Sequence, residues 1–161
     1  VQLCLSHRVR IQSNHVTNLR LKPADAIHIK VSEEVRTKTN FIDNKPQDMF
    51  VWIGLVVIGC GNINRIKNGL RYRAVDIKDD MFSIIRIDDD DQLVDDIRIE
   101  MEVDELTMNI RLSHAVTYFS QQARTIKCSL RLLNTENKNF TIRHLIVGLG
   151  RSPEGRLVSV M

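Results

Sequence analysis

Hydrophobic and polar positions alternate along much of this chain. Leu3, Leu5, His7, Val9 and Ile11 hold one phase, and Cys4, Ser6, Arg8 and Arg10 the other. A period of two marks a half-buried strand, here with two arginines on its outer face. Leu70, Tyr72 and Ala74 alternate with Arg71, Arg73 and Val75 in the same way. Ile97, Ile99, Met101 and Val103 oppose Arg98, Glu100 and Glu102, and Leu106, Met108, Ile110 and Leu112 oppose Thr107, Asn109 and Arg111. Asp104-Glu105 between these two runs predicts a tight hairpin, although it lacks the glycine such turns prefer. Ile126, Cys128, Leu130 and Leu132 predict a further strand. Met81–Ile87 is a short apolar run, a polar turn leads into Phe140–Leu149, and a glycine-flanked turn feeds a last strand, Arg156–Met161.

Helical spacing is rarer. Pro23 stands where a helix favours its first residue, and Ile27, Val31 and Val35 follow four apart, so a helix is expected from Pro23 to Arg36. Ser113 is placed to cap a second helix over His114–Ala123, with Val116, Phe119 and Ala123 on one face. These elements predict an α+β fold. The expectation is a single domain over residues 1–161, with an antiparallel β-sheet of about seven strands and two or three helices packed on it.

The longest apolar run, Met49–Cys60, falls well short of the ~20 residues needed to cross a bilayer. It reads as a buried strand or a core helix, and Trp52 is the one detail that suits a membrane-dipping segment. No charged and apolar leader opens the chain. Starting at Val1, it is expected to be the ordered core of a slightly longer protein. Three widely spaced cysteines argue against a disulfide framework and for a reducing compartment.

Composition fits a globular protein, with 43% hydrophobic residues and a mean hydropathy of −0.17. Charge changes the picture. The stretch 88–105 holds ten carboxylates and one base, Arg98, so a −9 block is set in a +12 body within a chain of net charge +3. Solubility surfaces normally mix their signs. The segregated bases Arg8, Arg10, Arg20, Lys22, Arg65, Lys67, Arg71, Arg73, Lys127 and Arg131 therefore become candidates for binding a polyanion or an anionic membrane. Aromatic residues scarcely interleave them, which argues against a base-stacking platform. Asp88, Asp89, Asp90, Asp91, Asp95 and Asp96 are candidates for self-association, the acid segment of one copy meeting the basic face of the next.

Catalytic signatures are missing from the sequence. It contains no GxSxG, no Walker loop and no GxGxxG, and its histidines and cysteines do not fall at metal-ligand spacings. The aspartate run lacks the alternate spacing and glycine of a calcium loop. The expectation is a non-enzymatic protein with no catalytic residues, no metal site and no cofactor.

The order of pieces resembles a rhabdovirus matrix protein. HRVRIQSN is similar to the basic strand that opens the matrix core, and the segment Ala24–Arg36 to the helix that follows it. GLVVIGCGN and GLRYRAVDI are similar to the apolar strand, glycine turn and next strand of the lyssavirus branch, and the acid cluster before IRIEMEV to its acidic turn. The Pro-rich motif that many animal members carry upstream is absent. This resemblance implies a viral structural matrix protein that self-associates, binds anionic membrane and condenses or bridges to the ribonucleoprotein. It would lie at the inner face of the virion envelope and, in the host cytoplasm or nucleus, as a peripheral membrane protein. The alternative is a viral cell-to-cell movement protein that binds single-stranded nucleic acid, with single-stranded RNA among its expected partners. It rests on a resemblance of GLVVIGCGNI and GLRYRAVDIKDDM, with Asp76 as the motif aspartate, to the thirty-kilodalton movement superfamily.

Overall fold

The computed structural model describes every residue except 41, 43, 64, 79 and 122–124, and leaves the side chain at 121 undescribed. Contacts divide the chain into two units. One comprises Val1–Asn14 with His114–Met161, and the other His15–Ser113.

The first unit is built on a parallel sheet. Strands β1 (Gln2–Cys4), β9 (Ala115–Thr117), β10 (Leu130–Leu132) and β11 (Val158–Val160) lie in the order β11-β10-β1-β9. Gln2 stands opposite both Ala115 and Arg131, and Leu130 opposite Val158, every pair parallel. Parallel neighbours need crossover connections, and α4 (Ile142–Leu149) supplies the one between β10 and β11. Leu3, Leu130 and Leu132 are fully buried between the layers. Gly148 lets α4 approach β10, since a Cβ there would stand 2.7 Å from a methyl of Leu132.

The second unit holds a five-stranded antiparallel sheet in the order β7-β6-β5-β4-β8, formed by β4 (Val56–Gly59), β5 (Arg71–Lys78), β6 (Met81–Ile87), β7 (Leu93–Glu102) and β8 (Ile110–Leu112). A two-stranded ribbon, β2 (Ile27–Ile29) with β3 (Met49–Val51), stands beside α2 (Glu33–Lys38) and α3 (Val103–Asn109). Tyr72, Ile84, Met101, Ile110 and Leu112 form the core of this unit together with Leu55 and Ile66.

A purely antiparallel sheet is therefore the wrong description. The structure carries a parallel sheet as well as antiparallel ones, with four α-helices among the described residues. The predicted strand over residues 3–11 is three residues of β1 followed by α1 (His7–Leu21). Ser6 opens α1, its carbonyl accepting from Arg10 and its hydroxyl from Val9. The buried stripe of α1 is polar: Arg10, Asn14, Thr17 and Asn18 are all under a tenth exposed. Asn14 pairs with both backbone groups of Ala115, and Asn18 with both of Phe50. No apolar periodicity could announce such a helix.

Pro23 does not start a helix. It follows the end of α1, where proline is common as a stop. The β-branched Ile27 and Ile29 enter β2, and helix resumes only at α2, capped by Ser32 accepting from the Val35 amide. Met49–Cys60 is two strands, β3 and β4, joined at Gly54, whose φ of 94° is left-handed. The alternation at 106–112 misled because Asp104 and Glu105 form not a hairpin but the first turn of α3, where carboxylates suit the helix dipole. The expected helix over 114–123 is β9 and a 3-10 turn, Phe119–Gln121. Ser113 is unavailable as its cap because its hydroxyl donates to Val56 O at 2.6 Å, and Ala123 lies outside the described residues. Phe140–Leu149 contains α4.

Candidate nucleic-acid interface

In the parallel-sheet unit, the end of β9 and the start of α4 converge on an open groove of about 520 Å³. Tyr118, Phe119, Thr141, Ile142, Arg143, His144 and Val147 line it. Tyr118 follows β9 directly and is buried, its hydroxyl donating to Leu133 O at 3.3 Å. Burial pushes its phenol well above the ordinary range, with the neighbouring Cys4 adding to the shift, so it stays protonated as a structural wall. Its ring meets Phe140 edge-on at 5.7 Å and His144 edge-on at 5.5 Å, while Phe140 and His144 stack at 5.7 Å.

The local fold fixes His144. Its Nδ1 accepts from the Thr141 amide at 3.0 Å, closing the first turn of α4. An accepting Nδ1 requires the tautomer with its proton on Nε2, so His144 can offer one donor away from the helix. Phe119 is 80% exposed in the 3-10 turn, and Arg143 and Ile142 stand exposed on the first turn of α4. Phe119 and Ile142 thus present apolar surface in the same groove as the Arg143 guanidinium. Chemically, the groove offers a stacking face for a base, a guanidinium for a phosphate and a histidine donor. Sequence reasoning named none of these as a binding residue. Phe119 and Arg143 lie 24 residues apart, and Phe119 had been assigned to a helix interior.

The predicted basic residues scatter. Arg8 is exposed on α1, but Arg10, two positions on, is buried, because a helix turns them to different faces. Arg131 is exposed on β10 and Lys127 in the loop before it. In the second unit, Arg20 ends α1, and the Lys22 ammonium sits 4.3 Å from the centre of the Phe50 ring. Arg65 and Lys67 are exposed in the loop before β5.

Only Arg71 and Arg73 are brought together, and what they hold is the acid turn of their own chain. Arg71 pairs with Asp91 at 2.6 Å and donates to Asp88 O at 3.0 Å, and Arg73 donates to Asp91 O at 2.8 Å. The turn is well ordered internally. The Asp88 carboxylate accepts from the amides of Asp90 and Gln92, and Asp91 takes a left-handed φ of 61°. Asp89 is exposed in it. Asp95 caps the amide of Ile97 on β7, with Asp96 exposed beside it. The opposed charges seen in the sequence thus meet, in part, within the molecule.

Among the described residues no three His, Cys, Asp or Glu side chains are placed to hold a metal ion, and no helix is long and apolar enough to cross a membrane.

Neither a family model nor a curated protein matches the chain. Solved structures do. The chain is similar over 99% of its length to the Pif1 helicase from Candida albicans (TM-score 0.64, 14% identity, 44% of that chain). It is equally similar to a Pif1 helicase solved to explain DNA unwinding at forked duplexes (0.63, 14%, 38%) and to Bacteroides Pif1 bound to single-stranded DNA (0.62, 14%, 40%). At this identity the likeness establishes the fold, an α/β helicase-like arrangement. The chain spans about two fifths of the length of these helicases.

These findings correct the expectations drawn from resemblance. Neither the matrix-protein nor the movement-protein reading is supported, since the proteins sharing the fold are DNA helicases. The expectation of a non-enzymatic protein is corrected on the same ground, since the solved structures the chain resembles are helicases.

Proposed function

We propose that this chain is a segment of a Pif1-type DNA helicase, and that its parallel-sheet unit contributes a contact to single-stranded DNA. The correspondence of nearly the whole chain with helicase structures, one of them bound to single-stranded DNA, carries this reading. The groove at Phe119 supports it with the chemistry that unpaired nucleotides need: a π-face any base can stack on, and a cation for the backbone. Unwinding and nucleotide turnover belong, on this proposal, to the whole helicase, and this chain takes part by holding the strand.

The test is fluorescence anisotropy of a labelled oligo-dT and of a blunt duplex, at low and moderate salt. The single strand is expected to bind in preference to the duplex. Phe119→Ala should weaken it about tenfold, consistent with ~1–3 kcal/mol per stacked base. Arg143→Glu should weaken it and lower the salt slope by about one. Both side chains are exposed, so thermal midpoints should not move. Equal affinity of wild type and Phe119→Ala, or preference for duplex, contradicts the proposal.

A further inference from the structure

The antiparallel sheet of the second unit ends on one side in β7, which has ten residues and a single hydrogen-bonded neighbour, β6, among the described residues. The opposite edge, β8, has three residues, all buried. A long edge presents unpaired backbone donors and acceptors that can accept another strand. The side chains of β7 fall into two rows. Ile99 and Met101 turn toward the core, while Arg98, Glu100 and Glu102 are exposed on the other face. At the far end the register shifts, so that residues 94–97 lie opposite Arg86 alone, and Leu93, Val94 and Ile97 stand 43–53% exposed.

Beside Glu102 lies an acidic hollow of about 360 Å³, lined by Asp80, Met81, Glu102, Val103 and Asp104. It has apolar walls for an aliphatic stem and three carboxylates at its rim. Lys38, held by Glu34, is near enough for Asp104 to act on its charge, but it does not line the hollow.

We propose that the edge of β7 takes an extended, basic segment of a partner protein as an added strand. Its residues would alternate basic and apolar, with lysines or arginines beside Glu100 and Glu102 and one such side chain seated in the hollow. Charge selects this occupant. The exposed row is net negative, with Glu100 and Glu102 against the single Arg98, so it disfavours nucleic acid and matches a basic strand better than a second copy of itself. The inference stands apart from the DNA-binding reading, which concerns the other unit.

The test uses three labelled peptides: alternating Lys-Val, alternating Lys-Pro of equal charge but lacking half the amide donors, and alternating Glu-Val. Binding is read by anisotropy and by amide hydrogen exchange of the full chain. Lys-Val should bind about tenfold tighter than Lys-Pro, Glu-Val should not bind, and amides within 93–102 should gain protection. The substitution Glu100→Lys, away from the start of α3, should cost about fivefold in affinity without shifting the thermal midpoint. Equal binding of Lys-Val and Lys-Pro, protection elsewhere than β7, or dimerisation of the chain through this edge without peptide would each overturn the proposal.

Discussion

Arg111 is a buried cation held by backbone carbonyls, and removing it tests the packing logic of the antiparallel unit. It is 3% exposed on β8. Its guanidinium donates to four backbone carbonyls: Asn44 O through Nε at 3.1 Å and Nη2 at 2.8 Å, and Thr107 O, Met108 O and Ile110 O through Nη1 at 2.7, 3.2 and 2.8 Å. Thr107 and Met108 belong to the last turn of α3, whose carbonyls have no partner within the helix, and the helix dipole favours a cation there. Burial lowers the affinity of this group for its proton, the nearby Cys60 opposing the shift, yet an arginine stays charged. Arg111→Met keeps the volume and strands the carbonyls. At about 1 kcal/mol for each of four unsatisfied acceptors the loss is about 4 kcal/mol, and relief from desolvating the guanidinium returns part of it, leaving about 3 kcal/mol. With a urea m-value of ~2 kcal/mol/M, the unfolding midpoint should fall by about 1.5 M. Arg111→Lys should recover less than half of this, since an ammonium cannot span both Asn44 and the end of α3. A midpoint for Arg111→Met within about 0.3 M of wild type, at unchanged m, would refute the reasoning.

Gly59→Ala should destabilise by about 2 kcal/mol in the same assay, because a Cβ there runs into the backbone carbonyl of Lys67, which cannot yield as a side-chain tip would. His114 is held below its ordinary 6.5, at about 4, chiefly by burial and secondarily by the N-terminal ammonium. A depressed histidine contributes stability that is present above pH 6.5 and lost as pH falls toward 4. Wild type should therefore lose up to about 3 kcal/mol over that window, less as solvent screens the site. Thermal melts of His114→Asn should show a flatter profile between pH 7 and 4.5, and a parallel profile would contradict the assignment. Cys4, whose thiol burial raises to about 11, should resist alkylation at neutral pH while the exposed Cys128 reacts, as thiol titration would show.

What the sequence could reveal follows from how each element is stabilised. β5 was legible because the buried Tyr72 and Ala74 alternate with Arg71 and Arg73, whereas β6 showed only as an apolar run because both of its faces are largely buried. The parallel sheet was not, since strands of three residues are too short to display a period, and their pairing depends on crossovers that local pattern does not encode. α1 hid its buried face behind amides that read the backbone of other strands, and a hydrophobicity pattern cannot see hydrogen bonding of that kind. The charge segregation was plain, but not its outcome: Arg71 and Arg73 hold the acid turn because β5 and β6 are adjacent strands and the turn leaves the end of β6. The groove was illegible for the same reason. Phe119 and His144 are joined only by the packing of α4 on the parallel sheet.

The central claim, a single-strand contact at that groove, is tested most directly by photocrosslinking. Single-stranded DNA carrying 5-iododeoxyuridine would be irradiated with the protein, and the adducts mapped by peptide mass spectrometry. Adducts at Phe119 and His144, lost on competition with unlabelled single strand but not with duplex, are the predicted result. Adducts confined to the basic loop at Arg65 and Lys67, or none at all, would contradict it.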